Sequence, residues 1–413
     1  MSASLPEQET QTDLPLAEVQ AAANRIAGKV HHTPCLPSRT FSKLGGGEVW
    51  LKYENAQRTG AYKIRGALNR ILTLPDEVRR RGVIAASAGN HAQGVAVAAS
   101  EAGVPATIVM PRPAPLTKVA ATRSYGARVI LHGDVFDDAQ AEALRLVRVE
   151  GLTYVPPFDD PAVMAGQGTV ALEILADCPN AGTLIVPIGG GGLIAGVAAA
   201  ARQLRPDIKV IGVQAAGANA TYLAYHQRYH GPLQTLNTIA DGLATRTPGE
   251  LTFPLIQRYV DDVVTVSDTA ITQAVVLLME RAKTIAEPAG AAALAALLAG
   301  RVTVPAWPAC VIVSGGNIDL NMMHRIIQSG LDAAGRHLRV RTLMTDRPGM
   351  LQAIATVLAN QSVNIIDVEH HRLGSNLSVM EAELDLTLEV RDHEHGQMVL
   401  RMLKEEGFNS RVV

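Results

Sequence analysis

The sequence predicts an α/β fold, and three observations support this prediction. Short runs that are apolar throughout, such as Gly82–Ala86, Ala106–Met110 and Cys310–Val313, recur along the first three quarters of the chain. Ala-rich stretches with helical spacing separate these runs, which is typical of a parallel sheet covered on both faces. After Gly335 the order of elements becomes β-α-β-β-α, and a final strand can follow at 409–413. We therefore expect a largely parallel α/β domain followed by a ferredoxin-like unit.

Composition and charge exclude several classes of protein. The 413 residues carry 37 Lys and Arg against 39 Asp and Glu, so the formal net charge is −2. A nucleic-acid-binding protein would need a basic surface instead. The first residues lack the basic start and apolar run of a signal peptide, and no apolar stretch is long enough to cross a bilayer. We expect a cytoplasmic protein without nucleic-acid or membrane partners.

The length suggests two or three domains, since a domain usually has roughly 100–200 residues. The pattern predicts four segments along the chain. They are a disordered polar tail at 1–16, a catalytic domain at 17–330 with a small subdomain at roughly 53–158, a linker at 331–336, and a second domain at 337–413.

The first segment that carries chemistry contains Lys63. This lysine lies between Tyr62 and Ile64, shortly after Thr59-Gly60, so its side chain could be semi-buried. Burial disfavours the ammonium form and lowers the pKa, as a Schiff-base lysine requires. The alternative is a lysine at a helix end whose side chain reaches into solvent.

The second segment, Ser87–Gly94, follows a predicted strand and opens a predicted helix. Its small residues would expose backbone N–H groups at the positive end of that helix, which suits a carboxylate. The alternative is a plain strand-to-helix turn capped by Asn90. His91 alone is more typical of a helix start than of a general base.

The third segment, Gly189–Gly192 followed by Leu193, also lies between a strand and a helix. Consecutive glycines let the backbone surround a phosphate. The segment lacks the features of an NTPase loop and of a dinucleotide fingerprint, so it indicates a small phosphorylated cofactor unless it is only a flexible turn. The fourth segment, Ser314–Asp319, offers the Ser314 hydroxyl to a ring nitrogen, or is an ordinary loop.

Together and in this order, the four segments resemble the fold-type II pyridoxal-phosphate enzymes, and most closely the threonine dehydratases (threonine ammonia-lyases, or threonine deaminases). The resemblance covers most of the chain. Further matching stretches are Thr33-Pro34, 157–160, 166–169, 240–242, 252–266 and 287–292. The resemblance implies two open, mostly parallel sheets covered by helices, as in tryptophan synthase β, and pyridoxal 5'-phosphate as the cofactor.

The resemblance also implies roles for individual residues. Lys63 is expected to hold the cofactor and to take the α-proton of the substrate. The other residues expected to bind the cofactor are Tyr62 beside the ring, Asn90 at the ring hydroxyl, Ser314 at the pyridine nitrogen, Gly189, Gly190, Gly191 and Gly192 at the phosphate, and also Leu193 and Gly242. Backbone N–H groups are expected to hold the substrate carboxylate at Ser87, Ala88, Gly89, Asn90 and His91.

The residue types favour elimination over racemisation. A neutral hydroxyl at the pyridine nitrogen stabilises a carbanion less well than a carboxylate would, so rapid loss of a β-hydroxyl suits the site. Threonine would give 2-oxobutanoate, and serine would give pyruvate. Related racemases have a second serine at the position of Ala88. Gln214 and Asn219 are neutral where some relatives have acidic cation ligands, so we expect no metal there.

The C-terminal unit resembles an ACT domain, with Asp346–Leu351 as its first turn and helix start. The resemblance implies pairing between subunits in a homodimer or homotetramer. It also implies an allosteric amino-acid effector, for which we expect isoleucine or valine near Gly349, Met350, Leu351 and Asn364. The alternative is a module used only for dimerisation.

Two other functions remain open. The first is a serine or hydroxyaspartate dehydratase, which would use the same chemistry on another amino acid. The second is a non-catalytic amino-acid sensor built around the ACT domain, although the presence of Lys63 argues against it. The sequence does not distinguish a role in isoleucine biosynthesis from a catabolic one.

Overall fold

The computed structural model describes residues 13–372 and 378–413. This part of the chain forms two compact units that divide between Asp319 and Leu320. This division precedes the helix Leu320–Ala333, which therefore belongs to the second unit. The linker is expected later in the chain, at 331–336. Most of the tail expected at 1–16 lies outside the described residues.

Strands alternate with helices along most of the described chain. The strands are β1 (Cys35–Pro37), β2 (Val49–Tyr53), β3 (Val83–Ala86), β4 (Ala106–Met110), β5 (Arg128–Leu131), β6 (Thr153–Tyr154), β7 (Thr183–Pro187), β8 (Lys209–Ala215), β9 (Asp262–Val266), β10 (Ala309–Val313), β11 (His337–Thr345), β12 (Asn364–His371), β13 (Glu381–Glu389) and β14 (Asn409–Val412).

The helices follow the same chain order. They are α1 (Leu16–Ile26), α2 (Arg39–Gly45), α3 (Lys63–Leu72), α4 (Asp76–Arg81), α5 (Asn90–Glu101), α6 (Leu116–Ser124), α7 (Phe136–Glu150), α8 (Pro161–Asp177), α9 (Gly192–Leu204), α10 (Ala220–Tyr225), α11 (Thr252–Tyr259), α12 (Asp268–Ala282), α13 (Pro288–Leu298), α14 (Leu320–Ala333), α15 (Met350–Asn360) and α16 (His393–Glu405).

The first unit contains two sheets, which confirms the predicted fold class. A six-stranded sheet has the order β1-β2-β10-β7-β8-β9, and all its neighbouring strands are parallel except β1 and β2. A four-stranded sheet, β5-β4-β3-β6, is parallel throughout. The smaller sheet lies within the range 53–158 that the sequence suggests for a subdomain.

Small residues allow the helices of the first unit to pack closely. In α8 and α9, a Cβ added to Gly168 would lie 2.8 Å from the carbonyl oxygen of Gly196. A Cβ added to Gly196 would lie only 2.2 Å from the carbonyl oxygen of Met164. The two helices therefore meet backbone to backbone, and this is why an Ala- and Gly-rich sequence with few aromatic residues can still form a dense core.

The second unit contains an antiparallel sheet of order β12-β13-β11-β14, with α14, α15 and α16 in the same unit. Alternate residues of β13 are buried, namely Ala382, Leu384, Leu386 and Leu388. Their intervening neighbours are partly or fully exposed, as the strict alternation in the sequence predicts. This architecture confirms the ferredoxin-like unit.

A membrane-spanning helix must meet requirements of length and of apolar character. Among the residues at 13–372 and 378–413, no helix combines the length and the apolar character needed to cross a bilayer.

Candidate active site

The predicted site segments follow strands that end at corresponding edges of the two sheets. Ser87 follows β3, Gly189 follows β7, and Ser314 follows β10. Parallel sheets of this kind bind ligands beyond the carboxyl ends of their strands. Contacts between these segments, described next, bring them together around Lys63.

Lys63 is the first residue of α3, and its side chain is half-buried. Its Nζ donates a hydrogen bond to the carbonyl oxygen of Pro157 at 2.7 Å. Burial lowers the pKa of the Lys63 amine to about 8, although the nearby Glu287 acts in the opposite direction. A substantial fraction of this amine is therefore neutral near physiological pH, so it can act as a nucleophile or as a base.

A buried ionic network fixes the helix that carries Lys63. The Arg65 guanidinium is fully buried and donates to both carboxylate oxygens of Glu54, each at 2.8 Å. It also donates to Glu173 Oε1 at 2.6 Å, and Lys52 Nζ donates to Glu173 Oε2 at 2.6 Å. Because these partners come from β2, the turn after it and α8, α3 is attached to several elements of the larger sheet region.

Tyr62 and Ser314 lie next to each other. The Tyr62 N–H donates to the Ser314 carbonyl oxygen at 3.2 Å, and Ala61 forms a β-bridge with Gly315. Ser314 is buried. Burial also raises the pKa of the Tyr62 hydroxyl, so this group stays protonated. The end of β10 thus lies directly beside the start of the Lys63 helix.

Asn90 is the first residue of α5, and its side chain contacts a residue that the sequence analysis did not single out. Asn90 Nδ2 donates to Glu287 Oε1 at 2.6 Å. Burial, together with the negative charge of Asp241, raises the pKa of the Glu287 carboxyl group to about 7. This carboxyl group can therefore change its charge near neutral pH.

His91 has a structural contact rather than the properties of a general base. Its buried ring donates through Nε2 to the carbonyl oxygen of Val155 at 2.8 Å. Burial, reinforced by the positive charge of Lys63, lowers the pKa of His91 to about 3, so the imidazole is neutral at physiological pH. A neutral His91 adds no charge to the turn formed by Ser87, Ala88 and Gly89.

That turn has free space beside it. A Cβ added to Gly89 would meet no atom within 4 Å, whereas most glycines of this site would collide with a neighbour. Ser87 Oγ accepts a hydrogen bond from the Gly89 N–H at 3.1 Å and so helps to shape the turn. The start of α5 also carries backbone N–H groups without partners inside the helix. The turn can therefore accept a carboxylate.

The Gly189–Gly192 loop requires glycine because its surroundings are tightly packed. An added Cβ would lie 2.3 Å from the Phe158 ring at Gly190, and 2.7 Å from Thr252 Oγ1 at Gly191. Gly191 also has a φ of 92°, in the left-handed region. Because α9 begins at Gly192, its first N–H groups remain available to an anion.

Gly242 and Leu193 lie next to this loop. A Cβ added to Gly189 would lie 2.9 Å from the carbonyl oxygen of Gly242, and Leu193 is buried in the first turn of α9. The structure thus brings together the sequence-predicted residues for cofactor and substrate. A bare glycine loop at a helix N-terminus, a lysine amine of lowered pKa and the buried Ser314 fit a phosphorylated aldehyde cofactor with a pyridine ring.

Two functional neighbours were not assigned from the sequence, Glu287 and the Pro157-Phe158 turn. Both lie in stretches that match the threonine dehydratases, but the residue types gave no reason to place them near Lys63. The available signal was an acidic residue directly before the apolar stretch Pro288–Leu298.

The residues expected to bind an effector do not meet within one chain. Gly349 follows the Thr345 end of β11, whereas Asn364 pairs with Glu389 beside the His337 end of the same strand. Nine residues of strand separate these ends, a distance of about 27 Å. Met350 is half-buried and Leu351 is exposed at the start of α15. One small molecule can reach both groups only if they come from different chains.

Two places relevant to metal binding can be described. The buried Gln214 side chain accepts a hydrogen bond from the Tyr222 N–H at 2.8 Å through Oε1. In the second unit, Glu369, His371 and Asp385 have ligand atoms within 4.8 Å of one another. Arg341 donates to both carboxylate oxygens of Asp385, at 2.7 and 2.6 Å, so that carboxylate is already neutralised.

Fold and site together define an enzyme that uses pyridoxal phosphate, and comparisons with known proteins agree. Residues 26–315 match the family model of pyridoxal-phosphate dependent enzymes, and residues 336–406 match an ACT domain. An L-threonine ammonia-lyase of Thermotoga maritima is 44% identical over 96% of this chain and 99% of its own length. The chain belongs to the pyridoxal-phosphate-dependent threonine ammonia-lyase family, with a C-terminal ACT domain.

Solved structures show the same relationship for the catalytic unit. A threonine deaminase isoform of Solanum lycopersicum has a TM-score of 0.72 and 35% identity, covering 79% of this chain and 90% of that one. Maize serine racemase has a TM-score of 0.72 and 38% identity, covering 78% of this chain and 99% of that one. The fold is therefore shared by lyases and racemases, so the reaction depends on individual residues of the site.

Proposed function

We propose that the chain converts L-threonine to 2-oxobutanoate and ammonia, and L-serine to pyruvate and ammonia. The observation that carries this proposal is the Lys63 amine, whose pKa is lowered and which donates to Pro157. The next residue, Phe158, packs against the glycine loop, and Tyr62 beside Lys63 is bonded to Ser314. Family membership supports threonine as the substrate. A location in the cytoplasm belongs to the same proposal and rests on the composition.

The chemistry divides between the cofactor and the protein. When bound, pyridoxal phosphate withdraws electrons from the α-carbon of the amino acid. The Gly189–Gly192 loop would hold its phosphate, and Ser314 would donate to or accept from its ring nitrogen. The backbone N–H groups of 87–91 would orient the substrate carboxylate. Lys63 Nζ would then take the α-proton as a general base, which favours loss of the β-hydroxyl group.

The substrate is tested by steady-state kinetics on the holoenzyme with L-threonine, L-serine and D-serine. We expect the highest kcat/KM with L-threonine, a lower value with L-serine and the lowest with D-serine. If L-serine or a hydroxyaspartate is clearly preferred, the alternative dehydratase is correct. If no amino acid is turned over although the cofactor is bound, the sensor alternative is favoured.

The Ala88→Ser variant is expected to gain some racemase activity, measured as formation of D-serine from L-serine. Alanine has no proton to return to the α-carbon, whereas a serine hydroxyl at this turn would supply one. Chiral chromatography measures the product. Ala102→Ser, directly after the C-terminal end of α5, is the matched control and should form no more D-serine than the unmodified enzyme. Absence of D-serine in both variants would show that Ala88 does not determine the reaction.

We infer further that the ACT domain binds isoleucine or valine between two copies of the chain. β12 is an edge strand of its sheet, with an exposed row of side chains. Antiparallel pairing of two β12 edges would bring Asn364 of one copy to the Gly349 end of the other. This arrangement explains how residues at opposite ends of β11, a strand about 27 Å long, can contact one ligand, and it requires at least a dimer.

Deleting the chain after Arg336 should leave measurable lyase activity and remove any response to isoleucine or valine. The expected catalytic residues all precede this point, whereas the expected effector residues follow it. A finer test is Asn364→Ala, which should weaken isoleucine binding in calorimetry, with the exposed Asn360→Ala as control. If neither amino acid binds the full chain and neither changes its kinetics, the domain serves only to assemble the enzyme.

A further inference from the structure

Glu287 is a buried acidic residue that the proposed reaction does not use. Its Oε1 accepts the 2.6 Å hydrogen bond from Asn90 Nδ2, and its backbone N–H donates to the Gly315 carbonyl oxygen at 3.0 Å. A Cβ added to Gly315 would lie 2.4 Å from Glu287 Oε1. The carboxyl group is therefore enclosed between the start of α5 and the loop that follows Ser314.

We propose that Glu287 is a positioning residue for the cofactor, because its carboxyl group fixes the orientation of the Asn90 amide and so determines which amide atom is presented to the cofactor. This inference rests on the cofactor site of the proposed function. It concerns the charge of the protein around the cofactor and does not depend on which amino acid is the substrate.

The argument follows from the hydrogen-bonding chemistry of the two groups. An ionised carboxylate can only accept hydrogen bonds, so it holds the Nδ2 end of the amide. A protonated carboxyl group can also donate, and either end of the amide can then face it. Loss of the charge on Glu287 therefore releases the constraint on Asn90. Since Asn90 is expected at the ring hydroxyl of the cofactor, the electronic state of that ring should report the change.

Burial and the surrounding charges cause Glu287 to ionise near neutral pH. Burial and Asp241 raise the pKa of Glu287, whereas the Asn90 bond, Lys118 and Lys63 lower it, and the resulting pKa is about 7. The carboxyl group is therefore mainly protonated below this pH and mainly ionised above it. The constraint on the amide is expected to strengthen as the pH rises through 7.

Lys118 and Asp241 provide a way to move this transition in both directions. Lys118 Nζ lies 3.7 Å from Asp241 Oδ2. Lys118 belongs to α6, next to the smaller sheet, and Asp241 directly precedes Gly242. The two residues oppose each other in their effect on Glu287. Removing the aspartate charge should lower the transition pH, and removing the lysine charge should raise it.

The test records the absorbance of the cofactor bound to the holoenzyme, without substrate, as a function of pH. In the unmodified protein we expect one spectral transition near pH 7. Glu287→Gln keeps the size and an acceptor oxygen but loses the charge, so this transition should disappear. Asp241→Asn should move it down and Lys118→Met should move it up, each by about half a pH unit or more.

A double variant separates positioning from a general structural effect. In the Asn90→Ala background, adding Glu287→Gln should leave the spectrum unchanged, because Glu287 would act through the amide. An unchanged transition in Glu287→Gln would overturn the inference. So would a transition that neither Asp241→Asn nor Lys118→Met moves, and these two variants decide the question if Glu287→Gln does not fold. Failure of the proposed function would differ, because the unmodified protein would then bind no cofactor or not turn over threonine.

Discussion

The Lys63→Ala variant is expected to lose threonine dehydration almost completely, by about 10³-fold or more in kcat. The change removes the Nζ atom, which is the expected attachment point of the cofactor and the expected base for the α-proton. Neighbouring groups cannot replace it. Burial lowers the pKa of His91 to about 3, so it is too weak a base, and Glu287 is bonded to Asn90. Activity is measured by formation of 2-oxobutanoate, and attachment by the absorbance of the bound cofactor.

An exposed lysine supplies the control for this experiment. Lys43→Ala, in α2, removes the same side chain from the protein surface and should keep both the activity and the cofactor spectrum. A small primary amine added to Lys63→Ala should restore a fraction of the rate, because it can act as the base in solution. Near-native turnover by Lys63→Ala without added amine would contradict the assignment.

Gly191→Ala is expected to reduce the affinity for pyridoxal phosphate by about tenfold or more. The φ of 92° at this position costs an alanine about 1–2 kcal/mol, and tenfold in affinity corresponds to about 1.4 kcal/mol. The added Cβ would also lie 2.7 Å from Thr252 Oγ1, which donates to the Gly190 carbonyl oxygen. Relieving both strains must move the loop whose N–H groups face the phosphate. Titration of the apoenzyme with the cofactor measures the change.

Gly396→Ala is the matched control, because an added Cβ there has its nearest neighbour at 3.7 Å and the residue lies inside helix α16. Its cofactor affinity should equal that of the unmodified protein. If Gly191→Ala also binds the cofactor normally, the glycine loop does not form the phosphate site.

Much of the fold could be predicted because its strands are apolar throughout or alternate strictly. β4 has the predicted bounds, and β10 differs by one residue. β2 was not predicted, because Lys52 interrupts its apolar run. That lysine is nevertheless fully buried, since Glu173 and the Thr33 carbonyl oxygen accept its hydrogen bonds. Glu173 is 121 positions from Lys52 in the sequence, so the sequence around Lys52 does not show that its charge is paired.

Contacts between residues that are distant in the sequence also limited the prediction of the site. Lys63, the glycine loop and Ser314 each lie at the end of a recognisable strand or the start of a helix, so local sequence located them. Glu287 could not be placed in this way, since its contact with Asn90 joins residues 197 positions apart. The separation of Gly349 from Asn364 also required the strand register, which the sequence alone did not specify.

The buried network of Arg65, Glu54, Glu173 and Lys52 has a consequence for laboratory evolution. Removing one partner of a buried ion pair typically costs about 3–5 kcal/mol, because the remaining charge is left without compensation. Single substitutions at these four positions should therefore destabilise the fold, and a selection for any reaction should remove the variants that carry them. A designer who wants new substrates should keep the four residues constant and vary Gly89, where an added Cβ meets no atom within 4 Å. All variants of the library would then keep helix α3, and with it Lys63, in the same position.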